Sequence, residues 1–94
     1  MKFAIIGWDG PEGQAKRPIH RPPHLERLRK LQDQGRLLCA GPFADQAGSL
    51  IIIEANSLAE AETFAQEDPY MIEGIFERVE VHPFKQVFPE DSVS

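Results

Sequence analysis

The sequence predicts an α+β domain of the ferredoxin-like kind, with element order β-α-β-β-α-β, a four-stranded antiparallel sheet and two helices on one face. Three observations predict it. Apolar runs of strand length stand at Phe3–Ile6, Leu37–Phe43 and Leu50–Ile53, and an alternating run at Phe76–His82. Two stretches of helical spacing follow the first and third runs. A short, turn-rich link joins the second run to the third.

Phe3-Ala4-Ile5-Ile6-Gly7-Trp8 reads as a strand apolar on both faces. Residues Asp9 to Pro23 carry Pro11, Pro18, Pro22 and Pro23 with no apolar period, and read as a loop. Pro22 and Pro23 suit a helix's first turn, where a missing N–H costs nothing. Leu25, Leu28 and Leu31 then recur at near-helical spacing, and Gly35 suits the left-handed residue beyond a helix end. A helix is expected over Pro23–Gln34.

Leu37–Phe43 is the second expected strand, Asp45-Gln46-Ala47-Gly48 a turn, and Ser49–Ala55 the third strand, paired with the second as a hairpin. Ser57 followed by Glu60 is a capping box opening the second helix. Leu58, Ala61, Phe64 and Ala65 form its expected buried stripe, and Asp68-Pro69 ends it. A loop runs through Gly74 to the fourth strand, Phe76–His82. One domain over residues 1–88 and a frayed acidic tail over 89–94 complete the expectation.

Ile5 and Ile6 point to opposite faces of the sheet, as do Ile52 and Ile53. Two helices cover only one face, and a monomer rarely leaves a large apolar patch in water. A homodimer packed sheet against sheet is therefore expected; a cover made by Phe84–Phe88 is the alternative.

Ten basic and fifteen acidic residues give a net charge of −5, which disfavours nucleic acid and anionic membrane as partners. The short run Phe3–Ile6 is no secretory or membrane segment, and one cysteine forms no internal disulfide. A soluble cytoplasmic protein is expected. Cys39, between Leu38 and Ala40, reads as a small buried residue. His20 and His24 have helical metal-ligand spacing, but Pro22 and Pro23 argue against a shared helical face, so no metal is expected. Neither a Walker loop nor a dinucleotide fingerprint is present, and no cofactor is expected.

His24 falls in the first turn of the expected helix, where the positive end of the dipole disfavours imidazolium. A neutral imidazole there suits a general base; an exposed helix-start histidine without a role suits the same sequence. The expected helices run antiparallel, which places Asp68 near His24, able to hold its tautomer; an Asx turn before Pro69 accounts for Asp68 equally well. Ser49 offers a hydroxyl to the same pocket, without a nucleophile elbow around it. Tyr70 and Trp8 suit aromatic walls for a flat ligand, or core and interface positions. Lys16, Arg17 and Arg21, placed on the loop, suit an anionic substrate or simply solvent.

Arg21-Pro22-Pro23-His24-Leu25-Glu26-Arg27-Leu28, Gly35-Arg36-Leu37-Leu38, Ala40-Gly41-Pro42, Asp68-Pro69-Tyr70 and Val81-His82-Pro83-Phe84 together resemble the YciI-like family, the YCII-related domain, over Met1 to Phe88. The resemblance implies a dimeric α+β barrel and a His–Asp site matching His24 and Asp68, with Ser49 as the matching serine. It further implies metal-free acid–base chemistry, of dehydrochlorinase or isomerase type, on a ring-derived acid. The expected set is thus His24, Asp68 and Ser49 as catalytic residues, and Arg21, Tyr70 and Trp8 as substrate-binding ones. A non-enzymatic module that binds a small ligand or a protein is the alternative.

Overall fold

The computed structural model describes residues 1–90, so most of the tail expected over 89–94 lies outside the described residues. Four strands, β1 (Lys2–Asp9), β2 (Leu37–Pro42), β3 (Gly48–Glu54) and β4 (Phe76–Phe84), make one sheet in the order β2-β3-β1-β4. Every neighbouring pair is antiparallel. With α1 (Gly13–Asp33) and α2 (Leu58–Gln66) between the strands, this is the expected ferredoxin-like arrangement.

Alternation along the strands divides the sheet cleanly. Phe3 and Ile5 of β1 stand beside Ile53 and Ile51 of β3 and pack against Leu28 and Leu31 of α1 and Ala61 and Ala65 of α2. A second cluster, Tyr70, Ile75 and Phe76, closes the other end of the same face. Burying each large apolar side chain here contributes about 1.5–3 kcal/mol. The opposite face carries Ala4, Ile6, Leu50 and Ile52.

Four expectations need correction. The first helix starts at Gly13, ten residues before Pro23, and holds Pro18, Pro22 and Pro23 in its interior. An interior proline removes a ladder hydrogen bond, at a cost of about 3 kcal/mol. Tertiary anchoring offsets it: Arg17 and Gln14 both donate to the Asp9 carboxylate, and Lys16 Nζ donates to Glu73 C=O at 3.4 Å. The buried stripe Gly13, Arg17, His24, Leu28, Leu31 lies along one helix face, but two of its members are polar, which hides the period. The helix end does agree with the sequence. Gly35 has φ 70°, Arg36 N–H donates to Leu31 C=O, and Gly35 N–H to Gln32 C=O, the paired bonds of a Schellman motif.

Second, a short helix α3 (Pro69–Ile72) follows α2 where a loop was expected. Asp68 is extended (φ −65°, ψ 131°), as Pro69 demands, and then caps α3 by accepting from Tyr70 N–H at 2.8 Å. The capping box at Ser57 is present, its hydroxyl accepting from Glu60 N–H at 3.1 Å. Third, Leu58 is 41% exposed, because the stripe of α2 rests on Ala61 and Ala65. Fourth, Cys39 is exposed, since its side chain lies on the sheet face that the helices leave open.

Candidate active site

Asp68 lies at the junction of α2 and α3 because Pro69 turns the chain there, and that turn aims its carboxylate at α1. His24 reaches it from the twelfth residue of α1, not from a helix start, so the helix-dipole argument for a neutral imidazole does not apply. His24 Nδ1 lies 2.9 and 3.0 Å from the two oxygens of Asp68, with both residues buried. A carboxylate only accepts, so Nδ1 carries the proton and a neutral ring leaves the Nε2 lone pair free. No hydrogen bond reaches Nε2 among the described residues.

Two neighbours hold the pair in place. The Tyr70 ring stacks on the imidazole with centroids 3.9 Å apart and planes 5° from parallel. Arg27 puts Nη1 3.8 Å from the second oxygen of Asp68, while its Nη2 donates to Phe64 C=O at 3.0 Å. Asp68 thus meets a ring N–H, a backbone N–H and a guanidinium.

A cavity of about 340 Å³ opens beside them, lined by His24, Tyr70, Ser49, Arg17, Arg21 and apolar side chains including Leu25, Leu28 and Ile51. Pockets for small organic ligands start at roughly 300 Å³. A mostly apolar wall with a few polar groups is the usual composition of such a site. Two glycines allow close packing in the strands beside it. A Cβ on Gly7 would strike the Phe76 ring at 2.5 Å, and one on Gly48 would strike the backbone of Gly7.

Five of the six expected site residues therefore surround one cavity or its dyad: His24, Asp68, Ser49, Arg21 and Tyr70. Trp8 does not. Its side chain lies on the open face of the sheet, where Nε1 donates to Glu80 and the ring sits 5.9 Å from Phe43. Alternation from the buried Gly7 sends it there.

Asp9 is a residue that the sequence does not single out. Arg17, expected on a loop and suited there to an anionic substrate or to solvent, instead lies within α1, is 5% exposed and donates to Asp9 through Nε at 2.8 Å and Nη2 at 2.7 Å. That carboxylate raises the Arg17 pKa, while burial lowers it. The spacing of seven between Arg17 and His24, two turns of one helix, was the available signal. His20 also shares the helix with His24, contrary to the argument from the prolines, but lies 3.8 Å from Glu73 instead of the dyad. No group of three or more metal-binding side chains stands together among the described residues.

The YCII-related domain model matches residues 1–85. The chain is 42% identical to Protein YciI of Escherichia coli O6:H1, over 94% of this chain and all of that one. It is 38% identical to an uncharacterized protein of Haemophilus influenzae, with the same coverage of both chains. Among solved structures it is similar to 5-chloro-2-hydroxyhydroquinone dehydrochlorinase of Burkholderia phenoliruptrix in complex with 2,5-dihydroxybenzoquinone. That likeness has a TM-score of 0.82 and 28% identity, covering 97% of this chain and 100% of the other.

Proposed function

Since the chain belongs to the YCII-related domain family, we propose that it is a small, cofactor-free acid–base enzyme of lyase or isomerase type, acting on a small cyclic or aromatic acid. One observation carries the reading: His24 Nδ1 is held by both oxygens of Asp68 while the ring lines a cavity and Nε2 has no protein partner. Nε2 takes a proton from a substrate hydroxyl or ring carbon. The electron pair left behind then expels a leaving group from a saturated carbon of the ring's keto form, or is reprotonated elsewhere on the ring. In the first case the products are the unsaturated ring, the departing anion and a proton on His24. Chloride would be the leaving group if the reaction follows the dehydrochlorinase to which the fold is similar.

Asp68 orients the ring and balances the imidazolium once the proton has moved. Arg21, exposed at the cavity wall, is placed to pair with an acidic substituent, and Tyr70 to back the imidazole. Trp8 has no part in it.

The same reading takes the protein as a homodimer through the open sheet face. Ala4, Ile6, Leu50 and Ile52 form an apolar row there. The segment after β4 is a poor alternative cover, with Val87 and Phe88 61% and 76% exposed. We place the protein in the cytoplasm, where a lone exposed thiol such as Cys39 stays reduced. No helix is long and apolar enough to cross a membrane among the described residues.

Turnover tests the proposal, with 5-chloro-2-hydroxyhydroquinone as first substrate and a panel of small cyclic acids behind it. His24→Ala should lower the rate by about 10²–10⁴-fold, the usual contribution of a positioned base. An unchanged rate would remove His24 from that role. Binding of a panel member without any turnover by the wild type would favour the non-enzymatic alternative.

A further inference from the structure

Arg17 is the one buried cation among the described residues, and its partners give it a direction. Nε and Nη2 grip the two oxygens of Asp9, and Nη2 also reaches Ser49 Oγ at 3.0 Å. The guanidinium carbon lies 5.1 Å from the centre of the Tyr70 ring and 5.8 Å from that of Phe76, which restricts its movement. A guanidinium has donors and no acceptor. Ser49 Oγ must therefore accept from Arg17, and its own proton is turned away from it. No other hydrogen bond to the Ser49 hydroxyl is described, although Ser49 is 4% exposed and lines the cavity.

We propose that the Asp9–Arg17 ion pair is a positioning unit that fixes Ser49 as a hydrogen-bond donor into the cavity, so that the site selects ligands presenting an oxyanion: a phenolate, enolate or carboxylate oxygen. This rests on the cavity being the ligand site, as in the function proposed above, and adds the polarity of one wall. Asp9 neutralises Arg17 locally, so the guanidinium acts through the hydroxyl it polarises and not as a free positive charge. Arg17 already occupies one of the two lone pairs of Ser49 Oγ, so a ligand oxygen that must donate competes for the one that remains. An anionic oxygen finds a donor already turned toward it. The arrangement suits proton removal: the negative charge left on a ring oxygen when His24 takes the proton is stabilised at the wall where Ser49 stands.

Equilibrium binding of two coloured probes tests this at neutral pH: 2,5-dihydroxybenzoquinone, which is ionised there, and its neutral dimethyl ether. Ser49→Ala should weaken the ionised quinone by about tenfold or more, the usual size for a charge-assisted hydrogen bond. The neutral ether should change far less. Arg17→Lys keeps the charge but loses the fork, frees the hydroxyl to rotate, and should reproduce the Ser49→Ala loss. The double variant should bind no worse than either single one. Equal weakening of both probes by Ser49→Ala, or additive losses in the double variant, would overturn the inference and leave the cavity as ligand site standing. A wild type that binds neither probe would overturn both. Should Arg17→Lys fail to fold, the ionised-against-neutral comparison in Ser49→Ala still decides whether Ser49 donates.

Discussion

A single proton, the one on His24 Nδ1, organises the site. Asp68 accepts the hydrogen bond it makes while also capping α3 by accepting from Tyr70 N–H, so one carboxylate serves the helix start and the imidazole together. Asp68→Asn keeps the shape but removes the charge. It should cost about 1–3 kcal/mol in stability, as for a buried charged hydrogen-bonding partner, and should lower turnover as well. Thermal melting and the rate assay check this; a variant as stable and as active as the wild type would separate Asp68 from both roles. Asp68 was legible in the sequence because a proline after it forces an extended residue at a helix end. The burial of Arg17 was not, because its spacing of seven from His24 hints at a shared helix face only once a helix is expected there, and three prolines argue against one. Its burial depends on Asp9, eight residues away across a turn, and on Ser49 from another strand.

Secondary-structure elements were legible wherever apolar period or capping chemistry decides them. The turns around Gly35 and Ser57 and the pairing of β2 with β3 all follow local rules. α1 is the exception: three interior prolines argue against a helix, and docking onto Asp9 and the sheet overrides them. β4 also runs past its expected end to Phe84, its final residues pairing with Phe3 and Lys2 of β1. The β1–β4 pairing carries a pH reporter. Trp8, the single tryptophan, donates to Glu80, and this bond first, then His82, holds the Glu80 carboxyl below the usual glutamate range. A lowered folded value means that the contact stabilises above the ordinary glutamate pKa and is lost as pH falls through the folded one. Tryptophan fluorescence should therefore titrate below the usual glutamate range, and Glu80→Gln should abolish that step. A transition unaffected by the substitution would assign it elsewhere.

Over the whole molecule, the sheet separates two tasks. One face, under the helices, holds the core and the cavity; the other presents Ala4, Ile6, Leu50 and Ile52 within a border that includes Trp8, Arg78, Glu80 and His82. Doubly apolar strands made that division legible, whereas the lining of the cavity depended on how far back α1 begins. We expect light scattering to give twice 10.6 kDa, and Ile6→Lys, placing a charge at a half-buried position of the apolar row, to give the monomer. A wild-type monomer at micromolar concentration would argue against the dimer. The fold brings the middle of α1 to the start of α3, and on that meeting the proposed chemistry depends. Nitrogen-15 NMR of the imidazole of His24 tests it most directly. The neutral ring should carry its proton on Nδ1, with Nε2 bare, and Asp68→Ala should release that preference; a ring protonated on Nε2, or indifferent to the loss of Asp68, would contradict the account.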